Sequence, residues 1–540
     1  MAGVTSASLE IEWQFAALDT RPVLRWLSSS PLAGFSVQPD GTRSLDDSYL
    51  DTPDWRIHRA GYACRVRRTP EGAELTLKSM AEPADGIRTR REVTAALPSP
   101  EVDPREAPGE AGEALRALCG RQPLAPLFRL LTSRQRFQLA DNEGRLGEVA
   151  LDDTSIPVAG GEPVRLARVE VEVDAAAVER ARPFVEALVA ACSLSPAATS
   201  KFEAALVATG QRPPPPPSFG PEAVEPSMSV GQVAYAVLRR QFRVFLLNEP
   251  GTRLGEDIEA LHDMRVATRR LRAAMAAFRP YLTPRMLAFR DQFGQVARAL
   301  GEVRDLDVQL ERMAEWRAEF PPERAHLLDG IEVLLQKRRL AARKRMLQVL
   351  DSRRYERLCA RFATALRSGP PRSFAPARVP VLSVAPDLVE RRYRKVRKLG
   401  DRIRKSSPPE EYHLLRIEAK KLRYALEFVG NGVYGKPALE FSARVTALQD
   451  LLGLHQDACV AIDLLEELAA TAGRRLEPPT LMAMGMLAER YRRHAEELRA
   501  RFPAVYREMR GAEWKKLRRL MESLRPPSPP PPGTSANHRP

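Results

Sequence analysis

The sequence predicts a multidomain α+β protein, with an antiparallel β barrel in its N-terminal part and an all-α region after it. Three observations support this prediction. Residues 1–210 contain short segments in which polar and apolar side chains alternate, which is the period of strands. The remainder contains long segments with apolar residues at three- and four-residue spacing, which is the period of helices. One motif of this helical part occurs twice, which predicts a duplicated unit.

Length and charge bound the function. The chain has 540 residues, more than one hydrophobic core accommodates, so several domains are expected. Its formal net charge of +15 is unevenly distributed: residues 1–212 hold 25 basic and 30 acidic residues, whereas residues 213–540 hold 59 and 39. The basic C-terminal part favours anionic partners such as nucleic acid, phosphate polymers or an acidic surface.

Cysteine usage and hydropathy indicate a cytoplasmic protein. The five cysteines are too few and too scattered for a disulfide framework or a CxxC metal site, so we expect reduced thiols. Residues 1–12 lack the basic and apolar regions of a secretory signal. No stretch of about 18 uncharged apolar residues is present, so no transmembrane helix is expected.

Proline-rich segments mark the predicted domain boundaries. Residues 211–227 include five consecutive prolines and predict a semi-rigid linker. Residues 368–386 carry five more prolines and divide the helical part. The predicted organisation is a barrel domain at 1–210, a helical domain at 228–522 with repeats at about 228–368 and 387–522, and a disordered tail at 523–540.

Charged side chains alternate along four predicted strands. Their polar faces are Glu10, Glu12 and Gln14; Arg65 and Arg67; Glu74, Thr76 and Lys78; and Glu170, Glu172 and Asp174. One strand of this kind is typical of a sheet with a solvated face. Faces of opposite sign together favour a closed barrel whose charges surround one lumen. There, carboxylates can bind Mg²⁺ or Mn²⁺, and arginines and lysines can bind phosphate.

The order of these residues resembles the CYTH, or triphosphate tunnel metalloenzyme, superfamily over residues 9–206. Glu10-x-Glu12 resembles the start of the ExExK signature, and Tyr49-Leu50-Asp51-Thr52-Pro53 resembles the family's Y-F-D-T-P. The later matches are Arg65-x-Arg67, Lys78, Arg91-Glu92, Arg134, Leu151-Asp152, Glu170-x-Glu172 and Ser200-Lys201-Phe202. The resemblance implies an eight-stranded antiparallel tunnel that hydrolyses inorganic triphosphate or a short polyphosphate with Mg²⁺ or Mn²⁺.

The same resemblance implies roles for individual residues. The metal-side residues would be Glu10, Glu12, Asp152, Glu170 and Glu172. The catalytic set would be Glu10, Glu12, Lys78, Arg134 and Lys201, and the substrate would also be bound by Arg65, Arg67 and Arg91. The lysine of the signature is Gln14 here, which can hydrogen-bond a phosphate but brings no charge. Loss of that charge would weaken turnover and leave binding intact.

The helical part contains an internal repeat. His262-Asp-Met-Arg265-Val-Ala-Thr-Arg269-Arg270-Leu271-Arg272 aligns without gaps with His413-Leu-Leu-Arg416-Ile-Glu-Ala-Lys420-Lys421-Leu422-Arg423. On a helix of about 100° per residue, the first, fourth, eighth and eleventh positions of each copy form one basic stripe. A single charged run is usually a solvated face. Its retention in both copies favours binding of a multivalent anion, which would relieve the repulsion between like charges.

This pattern resembles the CHAD domain, a conserved histidine α-helical domain found after CYTH domains, over about 228–520. The resemblance implies two pseudo-symmetric four-helix bundles that bind inorganic polyphosphate. The candidate ligands are His262, Arg265, Arg269, Arg270, Arg272, His413, Arg416, Lys420, Lys421 and Arg423. His455 is a weaker candidate, because Val303 occupies its position in the first copy.

Two functional hypotheses follow. The first is an inorganic triphosphatase whose helical part recruits polyphosphate or localises the enzyme to it, for example at polyphosphate granules. The second is a non-catalytic or weakly catalytic polyphosphate-binding protein whose tunnel is weakened by Gln14. Adenylate cyclase activity, which the CYTH resemblance also permits, is a lesser option. Nucleic-acid binding is disfavoured, since no RNP-like aromatic run, zinc finger or helix-turn-helix signature is present.

Overall fold

The computed structural model describes residues 6–29, 34–70, 72–320, 322–472 and 476–527. The chain divides into two compact units, one formed by Met1–Pro216 with Pro250–Asp257 and the other by Pro217–Glu249 with Ile258–Pro540. From residue 528 onward, the predicted disordered tail lies outside the described residues. No helix in the described ranges combines the length and the apolar character needed to cross a bilayer.

In the described part of the first unit, eight antiparallel strands close into a barrel, as the sequence predicts. They are β1 (Ser6–Ala17), β2 (Ser36–Asp51), β3 (Tyr62–Thr69), β4 (Gly72–Ser79), β5 (Ile87–Leu97), β6 (Ala125–Asp141), β7 (Gly144–Ile156) and β8 (Val164–Val173). Around the barrel their order is β1-β5-β4-β3-β2-β6-β7-β8, and β1 pairs with both β5 and β8. A two-residue strand, β9 (Ser195–Pro196), adds to β1.

Helices cover the apolar outer face of the barrel. They are α1 (Arg21–Leu27), α2 (Arg56–Arg59), α3 (Gly109–Cys119), α4 (Val178–Cys192) and α5 (Lys201–Thr209). Trp13 of β1 belongs to one core cluster with Phe184 of α4, and Leu75 of β4 belongs to another with Leu115 of α3. Because side chains alternate along a strand, burying these apolar faces outside directs the charged faces into the lumen.

The second unit is helical, as predicted. Its helices are α6 (Val230–Leu247), α8 (Ile258–Ala277), α9 (Pro284–Leu287), α10 (Phe289–Glu319), α11 (Asp329–Leu350), α12 (Arg353–Ser368), α13 (Val381–Gly400), α14 (Pro409–Ala425), α15 (Asn431–Tyr434), α16 (Lys436–Ala472), α17 (Pro478–Met509) and α18 (Ala512–Ser523). The remaining helix, α7 (Glu249–Leu254), lies where the chain passes between the units.

The helical unit repeats one packing pattern. Helix α6 packs against α8, α8 against α10 and α10 against α11; α13, α14, α16 and α17 contact one another in the same sequence. The duplicated motif lies on the second helix of each series, α8 and α14. Leu271 of the first copy and Leu422 of the second belong to the same buried cluster. The two repeats therefore share one hydrophobic core.

Candidate functional site

The barrel encloses a charged cavity of about 370 Å³. Its lining includes most of the tunnel residues predicted from the sequence, namely Glu10, Arg65, Arg67, Lys78, Arg134, Glu170, Glu172 and Lys201. Glu12 is only 2% exposed, and its carboxylate lies 3.8 Å from Nζ of Lys78. The alternation along the strands thus brings carboxylates and cations from distant parts of the chain into one lumen.

Three carboxylates crowd together on β1 and β8. Glu12 lies opposite Glu172 in the strand register, and Glu10 precedes it on the same face of β1. Burial, together with repulsion by Glu170 and Glu10, raises the pKa of Glu12 to about 7. Burial also raises the pKa of Glu172 to about 7, with further contributions from Glu10 and Glu12. These groups carry a repulsion that a cation would relieve.

The chemistry of this carboxylate group fits a hard divalent ion. Mg²⁺ and Mn²⁺ prefer oxygen ligands, and Glu10, Glu12 and Glu172 present carboxylates to the same part of the lumen. Lys78 contacts Glu10 here, and Glu12 and Glu10 raise its pKa although burial opposes this. Within the described ranges, no three carboxylate, imidazole or thiol side chains are already arranged around one ion position.

The other two predicted metal-side acids contact cations. Arg134 donates to both carboxylate oxygens of Asp152, at 2.8 and 2.7 Å, and also to Glu170. Lys201 contacts Asp152 and lies 3.0 Å from Glu170. Although burial alone would raise it, the pKa of Glu170 is lowered because Lys201 and Arg134 stabilise the ionised form. Asp152, which is 0% exposed, therefore holds Arg134 and Lys201 in place in this structure.

Gln14 connects the two groups of acids. Its Nε2 donates to Oε1 of Glu12 and to Oε1 of Glu170, both at 2.9 Å. Its own Oε1 accepts a weaker bond from Nη2 of Arg90 at 3.4 Å. Arg90 also lies 3.2 Å from Glu12. The amide therefore bridges neighbouring carboxylates, and a buried arginine beside it carries positive charge.

Arg91, predicted to bind substrate, does not line the cavity. Arg88, Arg90 and Glu92 of β5 face the lumen, so the alternation places Arg91 on the outer face. There its guanidinium contacts Glu110 of α3. The sequence prediction for Arg91 is corrected accordingly, and its neighbour Arg90 takes the inward position.

Two quoted motif segments have local structural roles. The carboxylate of Asp51 accepts hydrogen bonds from the backbone N–H groups of Thr52, Ile57 and His58, and so fixes the turn into α2. Ser200 and Glu203 form a reciprocal capping box at the start of α5. That cap fixes Lys201 as the first residue of the helix and presents its side chain to the lumen.

In the helical unit, the two copies of the motif meet. Nε of Arg269 on α8 donates to the hydroxyl of Tyr424 on α14 at 2.8 Å. Glu427 lies 3.2 Å from Arg270 of the first copy and 3.4 Å from Arg423 of the second. Part of each predicted stripe therefore lies beside part of the other, and we call these residues the paired basic site (Arg265, Arg269, Arg416, Lys420 and Arg423).

Positive charge in the paired basic site exceeds its acidic partners. Arg265 lies 3.0 Å from Asp305, whereas Arg416 and Lys420 have no ion pair in the described part of the chain. Burial and the four surrounding arginines together lower the pKa of Lys420 to about 7. Repulsion between these cations is unfavourable in the free protein, and a bound multivalent anion would relieve it.

The remaining candidate ligands differ in their surroundings. Lys421 is exposed and lies 2.6 Å from Glu418. Arg272 approaches Gly294 of α10, and burial lowers its pKa. Nδ1 of His413 lies 2.5 Å from the amide oxygen of Gln456, a contact between helices. Burial, with Arg304, lowers the pKa of His262, so this imidazole tends to be neutral.

Comparison with known proteins identifies both regions. Residues 9–202 match the CYTH domain, and residues 236–466 match the CHAD domain. The chain carries a CYTH domain followed by a CHAD domain. The charged cavity lies within the CYTH match, and the paired basic site lies within the CHAD match.

The chain is similar to further proteins and solved structures at low sequence identity. An uncharacterized protein of Mycobacterium tuberculosis is 25% identical over 503 residues, covering 88% of this chain and 91% of its own length. The crystal structure of the CHAD domain from the plant Ricinus communis is 26% identical and covers 57% of this chain and 97% of that chain, with a TM-score of 0.42. HpAC1 from Hippeastrum is described as a candidate adenylyl cyclase with a dominant triphosphatase activity. It is 16% identical and covers 37% of this chain and 96% of that chain, with a TM-score of 0.26.

Sequence reasoning missed several residues of both domains. In the CYTH tunnel these are Arg88 and Arg90, whose every-second-residue spacing with Glu92 was a usable signal, whereas Glu92 was matched to a motif without being given a role. In the CHAD domain they are Tyr424 and Glu427, which follow the second motif and contact arginines of the first. No signal in the separate copies indicates that contact, because it depends on how α8 and α14 pack.

Proposed function

We propose that the CYTH domain hydrolyses inorganic triphosphate or a short polyphosphate in its tunnel with Mg²⁺ or Mn²⁺, and that the CHAD domain binds inorganic polyphosphate. The observation that supports the hydrolase best is the division of the tunnel into a carboxylate group and a cation group. Glu10, Glu12 and Glu172 form the first group. The second group contains Arg65, Arg67, Arg134 and Lys201. A metal–phosphate complex supplies the opposite charge to each group.

The cation group has the geometry to hold a phosphate chain. Arg67 is oriented by Asp47, whose two oxygens accept from its Nε and Nη2 at 2.7 and 2.9 Å. Arg65 donates to Thr76 at 3.0 Å and lies 3.6 Å from Glu92 and 3.8 Å from Glu74, and these contacts orient its guanidinium. Guanidinium groups fixed in this way bind phosphoryl oxygens and stabilise the charge that develops on them.

The carboxylate group would hold the divalent ion beside the phosphates. When bound, such an ion neutralises phosphate charge and lowers the pKa of a coordinated water. Glu10, Glu12 and Glu172 are the residues that would bind it. Gln14 keeps Glu12 and Glu170 together through its two 2.9 Å hydrogen bonds. Arg134 and Lys201 would then contact phosphate oxygens from their positions on Asp152.

For the CHAD domain, the support is the uncompensated charge of the paired basic site. A linear polyphosphate presents negative charge at every phosphate, and it can contact cations from both copies at once. Binding would keep the enzyme near polyphosphate or polyphosphate granules. We place this activity in the cytoplasm, because the five cysteines form no disulfide.

The test is a substrate panel on the purified full chain. Phosphate release from triphosphate, long-chain polyphosphate and ATP is measured with Mg²⁺, with Mn²⁺ and after chelation. We expect triphosphate release that requires the metal and that is lost in Glu10→Gln. Asp153→Asn is the matched control, because Asp153 is exposed on β7. Release that persists after chelation, or equally in Glu10→Gln, contradicts the proposal.

A second candidate is a binding protein without turnover, and Gln14 is the observation that favours it. The signature's charged lysine is replaced by an amide that is already bonded to Glu12 and Glu170. Calorimetric titration of the full chain with triphosphate and metal separates the two functions. Tight binding with no phosphate release identifies the binding protein.

A further inference from the structure

A second basic groove lies in the helical unit, away from the duplicated motif. It has a volume of about 1100 Å³ and is formed by α13, α17, α18, the segment before α14 and Tyr412 in the first turn of α14. Eight of its lining residues are cationic: Arg397, Arg404, Lys405, Arg499, Arg507, Arg510, Lys515 and Arg518. None of the ten motif candidates lines it. We call it the α13–α17 groove.

The acidic residue of the groove lining, Asp401, already has its partners. It lies 2.8 Å from Arg510 and 3.2 Å from Arg397, and it accepts from the hydroxyl of Tyr506 at 2.8 Å. Gly400 permits this arrangement, because a Cβ there would lie 2.3 Å from the Tyr506 ring. Asp401 therefore cannot compensate the other cations.

Three exposed cations of the groove lack an acidic partner. Lys405, Arg507 and Lys515 form no ion pair in the described portion of the structure, and each side chain is open to solvent. Among the described residues, the guanidinium of Arg404 donates to the backbone carbonyls of Asp401 and Ile403, both at 3.0 Å. The groove thus retains a positive charge that is available to an anion.

A further arginine is held in the groove by a buried histidine. Nε of Arg499 donates to Nε2 of His455 at 3.1 Å, and its guanidinium lies over the ring of Tyr412 at 5.4 Å. Burial and Arg499 lower the pKa of His455 to about 4, so the imidazole stays neutral and accepts this bond. His455 is therefore a positioning residue for Arg499. This gives a role to a histidine that has no counterpart in the first repeat.

The arrangement of the aromatic residues indicates which class of anion the groove binds. Tyr393 stacks on Trp514 with ring centroids 3.8 Å apart, and Phe502 stacks on Tyr506 at 5.3 Å. All four are at most 6% exposed, so their faces are covered. Single-stranded nucleic acids bind by stacking bases on free aromatic faces. A groove with cations and no free ring face suits a phosphate chain without bases.

We propose that the α13–α17 groove is a second binding site for inorganic polyphosphate, so that a long chain is held at two places on one CHAD domain. The proposal rests on the proposed function and extends it to the choice of substrate length. Two linked contacts raise the affinity for a ligand that reaches both, whereas a short ligand occupies each site separately. The CHAD domain would thereby select long chains over short ones.

The experiment compares groove and control variants of the full chain. The groove variant combines Lys405→Gln, Arg507→Gln and Lys515→Gln, all on exposed side chains. The control combines Arg353→Gln, Arg357→Gln and Arg361→Gln, which remove the same charge from exposed positions of α12. Affinities for long-chain polyphosphate, short-chain polyphosphate and single-stranded DNA are measured at one salt concentration. His455→Ala serves as a second groove variant with unchanged net charge.

We expect the groove variant to lose about tenfold or more in affinity for the long chain, and to bind one short chain fewer per protein. The control should change each affinity less than about threefold, as expected for general charge loss. Equal losses in the two triple variants overturn the groove proposal while leaving the paired basic site intact. No polyphosphate binding by the unaltered chain overturns the proposed function itself. Preferential loss of DNA binding identifies a nucleic-acid site and also overturns the groove proposal.

Discussion

Nε2 of Gln14 on β1 lies 2.9 Å from Oε1 of Glu170 on β8, and the two residues face each other in the strand register. A lysine at this position would bring a charge between buried carboxylates, whereas the amide brings only a pair of hydrogen bonds. The two carboxylates that Gln14 joins have pKa values shifted in opposite directions. The pKa of Glu12 is raised by burial, and that of Glu170 is lowered by Lys201 and Arg134 in spite of burial.

Restoring the charge at position 14 should raise turnover. In Gln14→Lys, an ammonium beside Glu12 would favour its ionised form and bring a further cation to the substrate. We expect metal-dependent triphosphate hydrolysis to rise on the order of tenfold, measured as kcat from phosphate release. Gln14→Met, which has similar length and no charge, is the control. Equal kcat for the two variants would show that charge at this position does not limit the reaction.

Arg90 and Arg91 are adjacent in sequence and should behave differently. Arg90 faces the tunnel beside Glu12, so Arg90→Gln should raise KM for triphosphate by about tenfold. Arg91 pairs with Glu110 on the outer face, where ion pairs contribute little. Arg91→Gln should therefore keep KM within about twofold. A larger effect at Arg91 than at Arg90 would refute the inward assignment.

Removing the charge of Asp152 should disturb both stability and phosphate binding. Asp152 is fully buried and contacts Arg134 and Lys201, so Asp152→Asn removes one of the two carboxylates that each of these cations contacts. Breaking a buried pair of this kind costs about 3–5 kcal/mol in free energy of unfolding. We expect a lower Tm by calorimetry together with weaker triphosphate binding. Triphosphate should recover part of the lost Tm, because it supplies negative charge to the same cations. Asp153→Asn at the exposed neighbouring position should change neither quantity.

Polyphosphate affinity of the CHAD domain should depend on pH near neutrality. The pKa of Lys420 is lowered to about 7 by burial and by the surrounding arginines. A bound polyanion favours the charged amine, so binding above that pH requires uptake of a proton. Affinity should be highest below pH 7 and fall as pH rises, by up to about tenfold per pH unit. Titrations between pH 6 and pH 9 measure this.

The matched variants for that titration each replace one of two neighbouring lysines, Lys420 or Lys421. Lys420→Arg keeps the side chain charged over the whole range, so its affinity should lose the pH dependence. Lys421→Arg changes an exposed lysine that already pairs with Glu418, so its pH profile should match that of the unaltered chain. Identical profiles for all three proteins would exclude Lys420 as the titrating group.

The barrel was predictable because each of its strands carries a local signal. Alternation along β1 separates Ile11 and Trp13 from Glu10 and Glu12, and the structure keeps these sets on opposite faces. The same alternation predicts that Arg90 faces the lumen and Arg91 the outside. Arg91 was nevertheless assigned to the substrate because it matches a family motif. The alternation of apolar and charged residues places the apolar side chains outside the barrel and the charged ones inside. This arrangement can therefore be predicted even when sequence identity to known proteins is low.

The pairing of acids with cations was not predictable from the strands. The alternation along the strands predicts that both Asp152 and Glu172 face the lumen. It does not predict that Asp152 lies beside Arg134, which depends on the register between β6 and β7. Which carboxylate remains uncompensated depends on such cross-strand neighbours. Likewise, each basic stripe could be read from one helix, but Arg269 reaches Tyr424 only because α8 packs against α14. These relations are set by tertiary packing rather than by local periodicity.

Because β1 lies between β5 and β8, the charged cavity exists only when the whole barrel is closed. This one strand supplies Glu10 and Glu12, and its pairing with both neighbours completes the ring. Chain segments separated by most of the domain must be joined before any of these groups face each other. If β1 separates from either neighbour the lumen is no longer closed, so the triphosphate binding that we propose should be lost together with that pairing.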